Sequence, residues 1–413
     1  MKNNKKIIIP MLIIIIITAL SALMFSLHKN AEEKKQEYRN KIEYYKAIVE
    51  VEKKWISENQ VANGALLYYK EKTGTTSVVP YFSNTAAKSL LGQTFDADHK
   101  DVILKYLNWY FSHLNNKEQD KINGAGTIYN YKIMMKNNSI VSEESTNKYD
   151  SVDSYAASFL MLLNSYYEKT EDTHYIIDNM DKIFIIIDAL ENTIDSNGLS
   201  KTDEEARIKY LMDNTEVNMA LKDTINLLEV LSQKKEYQDS AYYNKGNDLI
   251  NELTKLKSKN TSAIEENLWN QDENRYEIGL DKNNKKFDFI GWNNFYSDAV
   301  AQLFPIAFGV IEPESERARA LYETFCNEYQ WENFEHYINK DSSFYWSVLA
   351  YVGAVMGDET RVNKFISYYS DNIAIDHKYP LYIADSGWYI MACDKMIEMN
   401  EKKIQEVGYF GIS

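Results

Sequence analysis

The feature that most constrains the fold of this chain is a recurring pair of helical segments of different character. Segments such as SYAASFLMLL and AVAQLFPIAFGV are apolar or small on all sides, whereas the segment that follows each of them is more charged and amphipathic. A helix that is apolar all round is buried, and a helix with one polar face lies at a surface. The sequence therefore predicts two layers, with apolar inner helices enclosed by amphipathic outer helices.

Six apolar segments are separated by intervals of 69, 63, 82, 48 and 40 residues, each long enough for one helical hairpin. This repetition predicts an all-α fold, an (α/α)6 toroid. An irregular helical domain and an open α-solenoid are the alternatives. The markers at the heads of the apolar helices are Asn84, Asp153, Glu216, Asp298, Trp346 and Ser386.

Apolar residues at three- and four-residue spacing predict the individual helices. A short β-hairpin is also predicted, from Tyr68–Lys72 into TGTTSVVPYF, with its turn at Thr73–Thr75. The predicted helices are Asn84–Leu91, Asp101–Leu114, Ser154–Lys169, Tyr175–Asn192, Asn214–Ser232, Tyr237–Ser258, Tyr296–Val310, Pro313–Tyr329, Phe344–Met356, Glu359–Tyr369 and a last helix from about Ser386.

The N-terminus carries a long apolar run behind lysines. MKNNKK precedes Ile7–Leu27, which contains no charge, and about 20 apolar residues are needed to span a bilayer. The run predicts an uncleaved signal anchor with the C-terminal domain outside the cell, and a cleaved signal peptide is the alternative. The predicted organisation is 1–28 for the cytoplasmic tip and transmembrane anchor, 29–46 for a stalk or first outer helix, and 47–413 for one extracellular domain.

Composition excludes several function classes. The net charge of −15 argues against nucleic-acid binding, which needs a basic surface. Cys326, Cys393 and six scattered histidines show no metal-ligand spacing, so neither a metal nor another cofactor is expected. The two cysteines are expected to be buried free thiols, with a disulfide as the alternative, and the protein is expected to be a monomer.

Acidic residues stand at or near the heads of the predicted inner segments. They are Glu58, Asp153, Glu216, Asp298 and Asp385, in WISENQ, YDSVDSY, MDNTEVN, NNFYSDAV and IADSGWY. In a toroid the N-terminal ends of the inner helices surround one mouth of the ring. Each acid taken alone is explained by helix capping, but capping does not explain the residues beside them.

Aromatic and amide residues accompany these acids. Aromatic rings stack on the apolar faces of sugars, and polar groups bind the hydroxyls, so the combination predicts a carbohydrate-binding cleft. The substrate-binding residues predicted on this basis are Trp55, Asn59, Gln60, Tyr155, Glu216, Asn218, Trp292, Tyr296, Trp346, Asp385 and Trp388.

Three stretches resemble glycoside hydrolase family 8. ISENQVANGAL resembles the family's segment with the general acid, YDSVDSYAASFL its Asp-rich helix start, and NNFYSDAVAQLFPIAF the segment that carries the base in part of its members. The resemblance implies a toroid in which Glu58 is the acid, Asp153 contacts the sugar at the cleavage point and Asp298 is the base. The chain departs from the family at Asn59, where the family has glycine, and at Gly64, which comes one residue late.

The residues themselves are compatible with these roles. An apolar wall from Trp55 and Ile56 would raise the pKa of Glu58, as a general acid requires, and the amides beside Asp298 would keep it ionised. Glu216 and Asp385 remain alternative bases. The predicted function is an extracellular glycoside hydrolase that cleaves a bacterial surface polysaccharide or exopolysaccharide with inversion. The alternatives are a non-catalytic polysaccharide-binding or export-assisting protein of the same fold and a cell-wall scaffold.

Overall fold

The computed structural model of the protein describes residues 5–69, 73–122 and 124–410, and it describes their side chains except at 5–16, 19, 22 and 408–410. Most of the structure is helical. The described helices are α1 (Lys5–Glu58), α2 (Pro80–Ser89), α3 (Ala97–Ser112), α4 (Val152–Thr170), α5 (Thr173–Asp178), α6 (Met180–Thr193), α7 (Leu211–Ser232), α8 (Lys235–Gln238), α9 (Tyr243–Leu268), α10 (Phe304–Ala307), α11 (Glu316–Glu328), α12 (Glu335–Ile338), α13 (Val348–Val355), α14 (Glu359–Asn372) and α15 (Ile383–Phe410).

The chain divides into two compact units, one made of residues 1–49 with 393–413 and the other of residues 50–392. The first unit contains the N-terminal part of α1 and the C-terminal part of α15. Within it, the Lys403 ammonium lies 5.7 Å from the ring centroid of Tyr38. The second unit contains a ring of helices.

The predicted toroid is confirmed in the second unit. Neighbouring inner helices contact one another in the order α2, α4, α7, α10 and α13. The Ser347 N–H, at the head of α13, donates to Asp385 of α15 over 3.0 Å. α15 in turn packs against α2, where a Cβ on Gly387 would lie 3.1 Å from the Ala86 Cα. In the part of the chain described here, six inner helices thus close into a ring, and α1, α3, α6, α9, α11 and α14 alternate with them as outer helices.

The burial of the helices explains which layer each one occupies. In α4, at the inner layer, only Ser165, Glu168, Lys169 and Thr170 are not buried. α9, at the outer layer, has 26 residues and buries a stripe along one face, which consists of Gly246, Leu249, Leu253, Asn260, Ala263, Ile264 and Leu268. A stripe at helical spacing is typical of a helix with one face on the core and one in water.

Several predicted boundaries are corrected by the structure. Tyr175–Asn192 is divided into α5 and α6, and Tyr237–Ser258 into α8 and α9. Tyr296–Val310 is a π-helical turn, Phe295–Ala299, followed by the short helix α10. α11 begins at Glu316 rather than at Pro313, because the Ser315 hydroxyl accepts the Ala318 N–H and caps the helix there.

The predicted hairpin is found in part, since the Tyr68 N–H donates to the Ser77 carbonyl over 2.7 Å. Its second strand has a further partner that the sequence did not predict. β1 (Gly74–Val78) pairs antiparallel with β2 (Tyr131–Lys136), and β2 pairs with β3 (Ser139–Ser145), in the order β1-β2-β3. Residues 70–72 of the predicted first strand lie outside the described part. Asn137 and Asn138, with φ of 51° and 61°, make the turn between β2 and β3, which is the residue type that two-residue hairpin turns favour.

Four short strands complete the described sheets. β4 (Lys209–Tyr210) pairs with β7 (Gly279–Leu280), and β5 (Trp269–Asn270) pairs with β6 (Arg275–Tyr276). They lie in the long connections that precede α7 and α10, so they fix the loops that lead into these inner helices.

The predicted anchor lies for the larger part outside the described side chains. Residues 1–4 are not described, and residues 5–16 are described as backbone only. No helix in the described part of the chain is long and apolar enough to cross a membrane. Cys326 and Cys393 are each buried, and neither is part of a disulfide in the described structure.

The contact at Gly387 provides a test of ring closure. Gly387→Val adds two methyl groups and a Cβ against Thr85 and Ala86, both at 3.1 Å from an added Cβ. Overpacking of this kind destabilises a protein by about 1–3 kcal/mol, which thermal unfolding of the full chain would measure. Ala97→Val, at an exposed position of α3, is the matched control. Equal melting temperatures for the two variants would contradict the closed ring.

Candidate active site

A cavity of about 860 Å³ lies where the N-terminal ends of the inner helices meet. Each inner helix or the residues leading into it contribute to its wall, since all six chain segments enter the ring from the same end. The lining side chains include Tyr81 and Phe82 from α2, Asp150, Ser154 and Tyr155 from the start of α4, Met212, Asp213 and Glu216 from α7, Tyr296 and Phe304 near α10, Trp346 and Ser347 before α13, and Tyr382, Asp385 and Trp388 from the start of α15.

Two carboxyl groups of α7 face the cavity one helical turn apart. Asp213 is the third residue of the helix and is half-buried, and Glu216 is one turn deeper and only 2% exposed. Residues three apart lie on the same face of a helix. The Tyr81 hydroxyl donates a 2.5 Å hydrogen bond to Glu216 Oε1, and Oε2 has no partner of ordinary hydrogen-bond geometry among the described residues.

Both α7 carboxyls hold their protons more strongly than usual. Burial raises the pKa of Glu216 to about 8, although the hydroxyls of Tyr81 and the nearby Ser154 act to lower it. Burial, together with the negative charges of Asp153, Glu216 and Asp150, raises the pKa of Asp213 well above its ordinary value. Like charges in one site disfavour ionisation of each other, so this wall of the cavity favours protonated carboxyls.

Asp385 faces these groups from the opposite side of the ring. It is the third residue of α15, and two inner helices separate α15 from α7 in either direction around the ring. Its Oδ1 accepts the Ser347 N–H at 3.0 Å, while the buried Oδ2 has no partner of ordinary geometry in the described structure. Burial raises the pKa of Asp385 to about 7, and the Ser347 N–H and hydroxyl oppose part of that rise.

Six of the residues predicted from the sequence do line the cavity. Four of the six are aromatic and lie at four different helix heads, and Tyr296 and Trp346 lie close together, with ring centroids 5.5 Å apart. Trp346 has a φ of 54°, a conformation that bulky residues rarely adopt. Its indole N–H donates to the Ser342 hydroxyl at 2.7 Å. The predicted residues brought together are Tyr155, Glu216, Tyr296, Trp346, Asp385 and Trp388.

Asp153 and Asp298 are placed behind the cavity wall. Asp153 is fully buried and accepts the Ser200 hydroxyl at 2.8 Å, and burial raises its pKa to about 6. Asp298 is 1% exposed, and its Oδ2 accepts the backbone N–H groups of Ile290 and Gly291. Neither lines the cavity, so Asp153 acts on the site through its charge and Asp298 fixes a loop.

Glu58 is also outside the cavity. It is the last residue of α1 and is exposed, so it stands at the C-terminal end of an outer helix rather than at the head of an inner one. Its predicted neighbours make structural contacts. The Trp55 ring stacks on His377 at 4.6 Å, Asn59 donates to the Trp55 carbonyl, and Gln60 donates to the carbonyls of Gly64 and Val102.

Two further predicted residues serve the packing of the ring. Asn218 donates to Asn260 Oδ1 and to the Thr261 hydroxyl of α9, at 3.0 and 2.8 Å. Trp292 packs against a core cluster that includes Leu211 and Tyr276. An amide or an aromatic ring at a helix head can therefore serve helix packing rather than line the cavity.

Sequence reasoning missed several cavity residues, of which Asp213 matters most. Its spacing from Glu216 in MDNTEVN was the available signal, because two acids three residues apart share a helix face. The segment Lys340–Phe344, which also lines the cavity, offered no such signal. Its residues lie in a loop that only the tertiary fold brings to the helix heads.

Among the described residues, no group of three or more His, Cys, Asp and Glu side chains could hold a metal ion.

The class of fold is that of glycosidases built as a helical toroid. The chain is similar to a solved glycosidase with a TM-score of 0.57 and 10% identity over 86% of this chain and 98% of that one. It is also similar to an alpha-amylase from Clostridium perfringens (TM-score 0.51, 10% identity, 84% and 97% covered) and to the GH63 mannosylglycerate hydrolase from Thermus thermophilus in complex with glucose (TM-score 0.51, 10% identity, 86% and 99% covered).

No protein-family model matches the chain, and no curated protein matches it. At about 10% identity, the structural similarity establishes the fold alone. The resemblance to glycoside hydrolase family 8 therefore remains a hypothesis.

The raised pKa of Glu216 predicts a pH-dependent loss of stability. Between its ordinary value and about 8, the unfolded chain ionises this carboxyl while the folded chain keeps it protonated, so the free energy of unfolding falls as the pH rises. Glu216→Gln removes this contribution, which amounts to roughly 1 kcal/mol per pH unit. Urea unfolding at pH 5, 6, 7 and 8 would measure the difference.

Glu229→Gln is the matched control for this experiment. Glu229 is exposed on the same helix, so its replacement should leave the pH dependence of wild type unchanged. If Glu216→Gln retains the slope of wild type between pH 5 and pH 8, Glu216 does not hold its proton in the folded protein.

Proposed function

We propose that the protein is a glycoside hydrolase that cleaves a polysaccharide by acid and base catalysis from Asp213 and Asp385. The observation that carries the proposal is the pair itself. Both residues line one cavity, both occupy the third position of an inner helix, and the two helices stand opposite each other in the ring. Glycoside hydrolysis requires two carboxyl groups on either side of the bond that breaks.

Asp213 is assigned as the general acid. Burial and the neighbouring carboxylates hold its pKa well above the ordinary value, which favours the protonated form that a general acid needs. Its half-buried position leaves it open to a substrate oxygen, whereas Glu216 is 2% exposed. Asp213 donates its proton to the glycosidic oxygen as the bond breaks, and Glu216 and Asp153 keep it protonated beforehand.

Asp385 is assigned as the base. With a pKa of about 7 it is largely ionised at slightly alkaline pH, as a base requires. The Ser347 N–H fixes Oδ1, so Oδ2 is the oxygen that receives the proton of an attacking water. Because acid and base stand on opposite walls of a cavity of about 860 Å³, a water can enter between the sugar and Asp385, which supports inversion of the anomeric centre.

The aromatic side chains supply the binding surface for sugar rings. Tyr155, Trp346 and Trp388 line the cavity at three different helix heads, and Tyr296 is 55% exposed at the same cavity. Stacking on flat rings orients a sugar without requiring a charge.

The acid role predicted for Glu58 is therefore assigned to Asp213, and the base role predicted for Asp298 is assigned to Asp385. Asp153 is assigned as a positioning residue.

Substitution of the proposed acid and base tests the mechanism. General acid–base catalysis contributes about 10²–10⁴-fold, so Asp213→Asn and Asp385→Asn should each lower turnover by at least 100-fold while the circular dichroism spectrum is unchanged. The measurement is release of reducing ends from a panel of bacterial exopolysaccharides and plant glucans. Nuclear magnetic resonance of the first product formed would show the inverted anomer.

Glu58→Gln is the matched control, because it removes the acid expected from the sequence and lies outside the cavity. Its turnover should equal that of wild type. Loss of activity in Glu58→Gln with retention in Asp213→Asn would restore the sequence-based assignment. Binding of polysaccharides by wild type without any cleavage would support the binding-protein alternative and contradict the proposed function.

The location of the activity is proposed from the sequence. The uncharged run Ile7–Leu27 behind MKNNKK supports a membrane anchor with residues 47–413 outside the cell. A substrate at the cell surface is consistent with that location. Protease added to intact cells should digest the domain, and complete protection in intact cells, with digestion after lysis, would place the domain inside.

A further inference from the structure

Glu52 is a buried carboxylate that lies outside the cavity and that the proposed reaction does not use. It belongs to α1, only 1% of its side chain is exposed, and both of its oxygens accept hydrogen bonds. The His377 Nε2 donates to Oε1 over 3.0 Å, and the Ser386 hydroxyl donates to Oε2 over 2.5 Å. Buried acids are ordinarily paired or hydrogen-bonded, and here the pairing joins two segments that are distant from Glu52 in the sequence.

Ser386 connects this carboxylate to the cavity. It is the fourth residue of α15, directly after Asp385, and it is fully buried. A hydroxyl at this position is too far inside the helix to cap it, because a capping side chain precedes the first turn. Since Ser386 and Asp385 belong to the same hydrogen-bonded helical turn, a displacement of Ser386 moves Asp385 with it.

The hydroxyl of Tyr369 shows that Glu52 and Asp385 lie close to each other. It is 3.5 Å from the Ser386 hydroxyl oxygen. Burial, together with the charges of Glu52 and Asp385, raises the pKa of Tyr369 well above its ordinary value. One hydroxyl is therefore within the electrostatic reach of both carboxyl groups.

His377 is the end of this network that reaches solvent. Its side chain is 16% exposed, and its ring stacks on Trp55, with centroids 4.6 Å apart and planes 17° apart. Glu52 and Trp55 are three residues apart and share a face of α1, so this one face both supports the ring and accepts its Nε2–H. His377 has a φ of 45°, which is uncommon for a residue other than glycine.

We propose that His377 and Glu52 are positioning residues, which act through Ser386 to hold Asp385 at the cavity. This inference rests on the proposed function, in which Asp385 is the base. The Ser347 N–H constrains the carboxylate of Asp385 from α13, whereas Glu52 constrains from α1 the helical turn that carries it. Both constraints are needed to fix the oxygen that receives the proton of the attacking water.

The proposal also explains the segment WISENQ, which the sequence analysis assigned to the cleft. Trp55 does not line the cavity, but its ring supports His377. The segment therefore acts on the base through contacts outside the cavity.

Two substitutions of His377 in the full chain test the inference. His377→Leu still packs on Trp55 but donates no hydrogen bond to Glu52. Turnover should fall about 10–100-fold and KM should change less than about twofold, because a misplaced catalytic group affects the transition state more than binding. His377→Gln supplies an N–H donor again, and its turnover should lie within about threefold of wild type.

The substrate is the glycan that wild type cleaves fastest among bacterial exopolysaccharides and plant glucans. Loss of one partner of a buried pair also destabilises a fold, so turnover is measured well below the melting temperature of each variant. A purely structural contact would lower that temperature and leave turnover unchanged. Wild-type turnover in His377→Leu, or equal losses in the leucine and glutamine variants, would overturn the inference.

Ser386→Ala removes the second hydrogen bond to Glu52 and tests whether His377 and Ser386 act as one unit. When both changes are combined, the loss of turnover should be smaller than the product of the two single losses, because both act through Glu52. Losses that multiply would contradict the proposed network. His174→Leu is the matched control, since it makes the same substitution at an exposed position of α5. Its turnover should equal that of wild type, and a loss as large as that of His377→Leu would also overturn the inference.

Crystal structures of the same variants separate this inference from the proposed function. The Asp385 carboxylate should be displaced by roughly 1 Å in His377→Leu, a shift large enough to impair catalysis, and it should keep its place in His377→Gln. If wild type cleaves no polysaccharide, the proposed function is contradicted, and a displacement in the leucine variant alone still supports the positioning role. An Asp385 that keeps its place in His377→Leu overturns the inference, whether or not wild type cleaves a polysaccharide.

Discussion

The site depends on one constraint, namely that the inner helices enter the ring from the same end. Their first turns then surround one cavity, and the unsatisfied N–H groups of those turns lie beside it. Such helix ends favour negative charge, whereas burial opposes it. For Asp213 and Asp385 burial prevails, because both pKa values are raised. The raised pKa values therefore follow from burial, which outweighs the effect of the helix ends.

Much of the fold could be predicted because the two layers have different sequence requirements. α4 is buried along nearly its whole length and α9 only along a stripe, and both patterns are visible in the sequence. The strands were harder to predict because β1 pairs with β2, which is more than fifty residues away. A search for adjacent partners cannot find such a pair, although the Asn137–Asn138 turn between β2 and β3 is a local signal.

The candidate site was predicted in part, because some of its features are local in the sequence and others depend on the ring. Helix heads were identifiable from the sequence, so Glu216, Asp385 and the aromatic residues beside them were found. Which side of a helix head faces the cavity is decided by the ring, and this is why Asp298 was assigned as a base although it binds the backbone of Ile290 and Gly291. Glu58 was predicted near the head of an inner helix. In the structure α1 continues through Ile56 and Ser57 and ends at Glu58, so Glu58 lies at the C-terminal end of an outer helix.

The fixed position of Asp385 illustrates how the toroid provides precision that a loop would not. The Ser347 N–H binds its carboxylate from α13, and the adjacent Ser386 hydroxyl donates to Glu52 of α1 at 2.5 Å. Glu52 also accepts from His377, whose ring stacks on Trp55. Three chain segments therefore determine the first turn of α15. A toroid shared with solved glycosidases does not by itself define a reaction, but a carboxylate held this firmly against a cavity is arranged for chemistry at a fixed point.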